Sequence, residues 1–278
     1  MKDSLICLRP VFYTLPPVAY PFVLVNANRP QNGLSYIRKF RRGIKSVIVD
    51  SGIEIFRDPE VKDYPKNWIY RIVMLHNRVK RFLPDAKVLA TCPDYCDDYN
   101  PKSLWFNEDI TNIERTVQNA IIYTEKFDYV NWLLSIQGWN KEPESVLRCI
   151  RLYREYGFLK EYEFFAIGNL CVELNDHLIH QTVSLVRREL PDKNLHVFGL
   201  KLKVFPIVKS LIDSFDSMAW TRPITRKLNA NWSCKNREER VKFFMAWLER
   251  LNHYKKQRSL TDSMTDDLSE WWRQGYQE

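Results

Sequence analysis

Eight short runs rich in Val, Ile, Leu and Phe recur along the chain, and most are separated by longer amphipathic stretches. The runs cover residues 4–8, 22–26, 46–50, 87–91, 132–136, 163–167, 195–198 and 214–219. They lack strict apolar–polar alternation, which is the pattern of strands covered on both faces. Helical spacing of apolar residues occupies 66–82, 109–127, 142–156, 175–190, 203–212 and 236–254. Strand–helix alternation repeated this often argues for a parallel sheet with covering helices. Eight strands in 278 residues favour a closed barrel over an open doubly wound sheet. The expectation is an α/β fold: a single-domain (β/α)8 TIM-type barrel over residues 1–230, with a helical C-terminal extension over 231–278 packed on it. Residues 9–20, with Pro10, Pro16 and Pro17, read as a loop after the first strand.

The glycines locate a candidate site. Of only eight, Gly52, Gly138, Gly168 and Gly199 fall at or just past the C-terminal end of a run. Active sites of such barrels sit on that rim. Reading the rim in order gives Asn26, Asp50, Asp94, Gln137, Gly168, Asn169, Phe198 and Asp216. Three carboxylates facing one cavity would push their pKa values apart, which suits acid–base or nucleophilic work. The residue types also match a purine. Carboxylates accept from the N1–H and 2-amino group of guanine, a glutamine amide and a backbone N–H can donate to O6, and an aromatic ring such as Phe198 can stack on the base. Taken singly, each residue has an ordinary reading: a strand-end Asp caps a helix, and Phe198 is core. Recurrence at several strand ends is what weakens that reading.

Asp213 and Asp216 share one stretch but not one role. They are an odd number of residues apart, so an extended strand sends them to opposite faces. Asp213 is expected to anchor the loop, and Asp216 to face the cavity.

Net charge is +8, with basic runs at Arg38, Lys39, Arg41, Arg42 and Lys45; at Arg78, Lys80 and Arg81; at Arg222, Arg226 and Lys227; and at Lys255, Lys256 and Arg258. They point to a polyanionic partner, nucleic acid above all. The six cysteines read as reduced thiols of a cytoplasmic protein, since no signal peptide precedes the chain and its size needs no disulfide staple. Cys92 and Cys96 have no second Cys/His pair nearby at zinc spacing. No apolar run approaches the ~20 residues of a membrane span.

These segments, in order, resemble the tRNA-guanine transglycosylase superfamily. "VDSG" at 49–52, "IQG" at 136–138, "AIGNL" at 166–170 and "IDSFDSMAWTR" at 212–222 carry the resemblance. It implies that Asp216 is the nucleophile that attacks C1′ and that Asp50 is the general acid/base. It implies that Asp94 binds the N1/N2 edge, that Gln137 and the backbone N–H near Gly168 and Asn169 bind O6, and that Leu170 offers its carbonyl to the incoming base. Asn26 would lie on the sugar side, and Arg222 and Arg226 would contact phosphate. No metal and no cofactor are implied.

The departures shift the expected polymer. The three closely spaced cysteines of the tRNA enzymes' zinc site are absent; Cys234 and His253 are isolated. Glu54 stands where the family has an aromatic residue, and Asn169 replaces a glycine. The sequence is therefore most similar to the 7-deazaguanine DNA transglycosylases (DpdA type) of phages and bacteria, which exchange guanine in DNA for a free base such as 7-cyano-7-deazaguanine. That resemblance implies DNA as partner and a cytoplasmic location, the bacterial host's if phage-encoded. The alternatives are a tRNA-guanine transglycosylase with a reduced tRNA-binding region, and a non-catalytic nucleic-acid-binding barrel. A base-excising glycosidase is a weaker fourth reading.

Overall fold

The computed structural model describes residues 9–11, 15–58, 60–96, 105–107, 110–139, 141–170, 175–217, 220 and 237–256. One sheet contains β1 (Arg9–Val11), β2 (Phe22–Asn26), β3 (Ser46–Asp50), β4 (Lys87–Thr91), β7 (Trp132–Ile136), β8 (Phe164–Ile167), β9 (Asn194–Val197) and β10 (Ser214–Asp216). Their spatial order is β1-β10-β9-β8-β7-β4-β3-β2, and every pairing is parallel. Chain order therefore runs round the sheet, and β1 approaches β2 without a hydrogen-bonded ladder between them. The result is a nearly closed barrel of the TIM type. A short antiparallel pair, β5 (Trp105–Asn107) and β6 (Ile110–Thr111), is inserted after β4.

The covering helices are α1 (Pro30–Phe40), α2 (Trp68–Phe82), α3 (Asn112–Lys126), α4 (Val146–Glu155), α5 (Phe158–Glu161), α6 (Asp176–Glu189) and α7 (Phe205–Val208). Local chemistry starts two of them. Thr111 accepts from the Glu114 N–H at 3.4 Å, and Asn175 accepts from the His177 N–H at 2.9 Å. These contacts satisfy amides that a first helical turn leaves without partners. A further helix, α8 (Arg237–Lys256), buries Phe244, Trp247 and Leu251. The Phe244 ring stands edge-on to Tyr20 and Trp220, with centroids 5.8 and 5.5 Å away.

Several expectations need correction. β1 lies at Arg9–Val11, inside the stretch read as loop, whereas the expected strand at residues 4–8 lies outside the described residues. The helix expected over 203–212 contracts to four residues, Phe205–Val208. Helix α1 was missing from the expectation. Its sequence, PQNGLSYIRKF, carries a glycine at its fourth position, no acidic first turn and no side-chain cap, so Pro30 at the first position is left as a lone start signal. Tertiary packing supplies what propensity does not.

Gly33 explains how α1 sits so close to the sheet. A Cβ there would lie 2.6 Å from Val25 Cγ1. Replacing Gly33 by alanine is expected to destabilise the protein by about 1–3 kcal/mol, although alanine alone favours a helix by ~1 kcal/mol. The neighbouring Gly43 has nothing within 4 Å of such a Cβ. Gly43→Ala should stay within about 0.5 kcal/mol of the parent. Chemical denaturation of both variants measures the contrast; equal midpoints would show that α1 moves away at no cost.

Among the described residues no helix is long and apolar enough to cross a membrane.

Candidate active site

Strand parity decides which side chains meet at the barrel mouth. Leu24, Ile48, Leu89, Leu133, Ala166 and Phe198 form an apolar cluster apart from the main core, and Phe22 and Phe164 pack against it. The alternate residues, Val23, Val25, Val47 and Val49 among them, belong to the core beneath the helices. The first cluster is thus the barrel lumen. Two residues further along the same faces come Asn26 and Asp50, which are direct register partners. The same parity brings Gln137, Gly168 and Asp216 to the rim, since Ser135 pairs with Ala166, Ala166 with His196, and His196 with Ser214.

Asn26 is a hub. Its Nδ2 donates to Asp50 Oδ2 at 2.5 Å and to Glu54 Oε2 at 2.7 Å, while its Oδ1 accepts from the Asn28 N–H at 2.7 Å. Glu54 reaches back because Gly52, at φ +83°, turns the chain into a short 3-10 helix, Ile53–Arg57. Asp50 therefore sits buried beside a second carboxylate. Burial, and then the charges of Glu54, Asp94 and Asp216, hold its pKa well above the ordinary carboxyl value.

Asp94 lies just past β4 and is held on three sides. Ser51 Oγ donates to its Oδ1 at 2.7 Å, Gln137 Nε2 donates to its Oδ2 at 2.6 Å, and the Tyr64 hydroxyl donates to its backbone oxygen at 2.9 Å. Burial raises its pKa, and the bonds from Ser51 and Gln137 act the other way.

Gln137 and Asn169 interlock across the ends of β7 and β8. A Cβ on Gly168 would fall 2.2 Å from Gln137 Nε2, and one on Gly138 would fall 2.3 Å from Asn169 Nδ2. Each amide therefore fills the space left by a missing side chain on the neighbouring loop. Gln137 Oε1 and Asn169 Oδ1 are buried and have no hydrogen-bond partner. The Gly168 N–H is already used, donating to Ile136 O at 3.0 Å. Gln137 Nε2 and the Gly168 N–H, both expected to face O6 of a base, are thus committed within the protein.

Asp216 ends β10. Its Oδ1 accepts from the Gly199 N–H at 2.7 Å and lies 3.7 Å from His196 Nε2. Gly199 has φ +67°, a conformation that a side chain would strain. His196 Nδ1 meets Ser214 Oγ at 2.9 Å, and its ring stands edge-on to Phe198 at 4.8 Å. Phe198 is buried among the lumenal residues, and Leu170 is buried in the main core. Asp213 takes the anchoring role: its Oδ2 accepts from Arg187 Nη2 at 2.9 Å and from the Leu195 N–H at 2.8 Å.

Arg222, Arg226 and Cys234 lie outside the described residues. Two basic runs do not border the rim. Arg38, Lys39, Lys80 and Arg81 occupy the last turns of α1 and α2, at the opposite end of the barrel where β3 and β4 begin. There they complement the helix dipoles. Cys92 and Cys149 are buried free thiols, and Cys96 is buried without a disulfide.

Ser51, Tyr64 and His196 were missed as site residues. His196 was legible in principle, because it precedes Phe198 by two positions and so shares its strand face. Ser51 and Tyr64 act through hydrogen bonds between separate loops, which no local pattern announces.

No family model matches the chain, and no curated protein matches it. Among solved structures the chain is similar to pyruvate carboxylase of Rhizobium etli with the allosteric activator acetyl coenzyme-A, at TM-score 0.41 and 13% identity, over 86% of this chain and 24% of that one. It is also similar to the carboxyl transferase domain of that enzyme with pyruvate (TM-score 0.34, 9% identity, 76% of this chain and 41% of that one). The same domain with 3-bromopyruvate gives TM-score 0.37 and 12% identity, over 80% of this chain and 42% of that one. The chain thus spans well under half the length of each, and likeness this weak carries nothing about chemistry.

Proposed function

We propose that the protein is a base-exchange transglycosylase of the tRNA-guanine transglycosylase superfamily, acting on guanine in DNA and inserting a 7-deazaguanine. The observation that carries this reading is the pairing of two differently equipped carboxyls at one rim. Asp50 is buried beside Glu54 with its acid form favoured. Asp216 is oriented by the Gly199 N–H. A proton donor and a nucleophile on two walls of one cavity are what glycosyl transfer with a covalent intermediate requires.

In this reading Asp216 attacks C1′ as the bond to the guanine ring nitrogen breaks. The electron pair leaves with the base, and the Asp50 proton neutralises it. The incoming base returns a proton to Asp50 as its ring nitrogen attacks C1′, and Asp216 departs as carboxylate. Atoms and charge balance over the cycle, and the polymer stays covalently held throughout. Asn26 would keep Asp50 oriented in both protonation states, since its amide bridges Asp50 and Glu54.

DNA as the polymer rests on the sequence departures at Glu54, Asn169 and the zinc region, and the competing reading with the same chemistry is exchange in tRNA. The test is incorporation of a labelled 7-deazaguanine into duplex DNA, single-stranded DNA and tRNA. Incorporation into DNA but not tRNA is the expected result. Incorporation into tRNA alone overturns the choice of polymer. Release of guanine without incorporation overturns base exchange in favour of hydrolysis.

A further inference from the structure

We infer that His196 is a positioning residue for the nucleophile: its Nε2–H donates to Asp216 Oδ1, which leaves Oδ2 as the attacking oxygen and favours the carboxylate as leaving group. The inference deepens the transglycosylase reading and rests on it.

His196 and Ser214 are register partners, and Asp216 stands two residues beyond Ser214 on the same lumenal face. His196 is 3% exposed, and Phe198, edge-on at 4.8 Å, holds the plane of its ring. Nδ1 meets Ser214 Oγ at 2.9 Å, whereas Nε2 is buried and has no hydrogen-bond partner. Nε2 faces Asp216 Oδ1 across 3.7 Å, too far for a hydrogen bond but near enough for a small ring rotation to close. Catalytic contacts are often long in a free enzyme and tighten in the reacting complex. The neighbours decide the tautomer. A bare Nε2 would set its lone pair against a carboxylate. With the proton on Nε2, Nδ1 accepts from the Ser214 hydroxyl, and both nitrogens are used. The other rim carboxyls each have a side-chain donor: Asn26 serves Asp50 and Glu54, and Ser51 and Gln137 serve Asp94. Asp216 has a backbone donor, the Gly199 N–H, and His196 supplies the side-chain one.

No proton moves in this role. Asp216 is charged before attack and after departure and loses that charge in the covalent intermediate. A donor at Oδ1 therefore stabilises the free carboxylate more than the ester. Removing it should slow departure of Asp216 from the sugar more than attack by it.

His196→Phe keeps the ring volume and removes the donor; His196→Gln returns an N–H near the place of Nε2. The full-length variants are compared by single-turnover exchange and by the amount of covalent adduct with labelled base present. His196→Phe should slow adduct breakdown about ten- to a hundredfold, so that adduct accumulates while polymer affinity is unchanged. His196→Gln should restore most of the breakdown rate. Unchanged breakdown, or the equal slowing of both steps that packing damage alone would give, overturns the inference. Nitrogen NMR of histidine-labelled wild type reads the tautomer independently of activity; the His196 signal is the one of five that His196→Gln removes. A proton on Nε2 is expected, and a bare Nε2 overturns the inference whether or not His196→Phe folds. Exchange by a wild type with a bare Nε2 defeats this inference alone; a protonated Nε2 in a protein that exchanges nothing defeats the transglycosylase reading alone.

Discussion

Replacing Asp216 by asparagine is expected to lower base exchange at least about a thousandfold, the usual scale for loss of a covalent nucleophile. Asparagine can still accept the Gly199 N–H with its amide oxygen, so the end of β10 should keep its place. What it loses is the anionic oxygen that would trap the sugar. The experiment is single-turnover exchange with labelled base, together with denaturing gel analysis for a covalent protein–polymer adduct. Wild type should show the adduct when the free base is withheld, and the variant should not. Undiminished exchange by Asp216→Asn would remove Asp216 from the chemistry and overturn its assignment as nucleophile.

Asp50→Asn is expected to separate activity from stability. Exchange should fall about a hundredfold to ten-thousandfold, because the proton donor is lost. Stability should rise. Burial and the neighbouring carboxylates raise the pKa of Asp50 in the folded protein, so folding favours the protonated form. The stability that comes with that proton is complete below the unfolded carboxyl range and is lost as pH climbs through the folded pKa. An uncharged asparagine escapes the loss. The melting temperature of Asp50→Asn should therefore exceed that of the wild type by about 2–4 °C near neutral pH. The gap should close below about pH 4, where the unfolded aspartate is also protonated. Thermal melts across that range provide the check. A variant less stable than wild type at every pH would mean that Asp50 is held by attractive contacts and is not a strained acid.

The barrel was legible where burial on both faces leaves continuous β-branched runs. β2, β3, β4 and β7 fall where the apolar pattern places them. β1 was not, because Arg9-Pro10-Val11 has no apolar run of its own and pairs only through its position beside β10. α1 was missed because its packing depends on the absence of a side chain at Gly33, and spacing rules score a central glycine against a helix. For the site, position at the ends of the apolar runs was enough to bring Asn26, Asp50, Gln137 and Asp216 to one rim. It could not show that Asn26 spans two carboxylates or that the Gln137 amide is spent on Asp94. Those depend on where loops after different strands meet, and Glu54 arrives only through the left-handed turn at Gly52.

The crossed amides at the ends of β7 and β8 also constrain how this protein can diverge. Gly138 makes room for Asn169, and Gly168 makes room for Gln137. A larger residue at either glycine displaces the amide opposite, so enlarging a glycine is best matched by a smaller residue at its partner. Lineages descended from this chain should therefore keep or exchange each glycine together with its partner amide. Enlargement of either glycine would therefore come as a coordinated step in two loops.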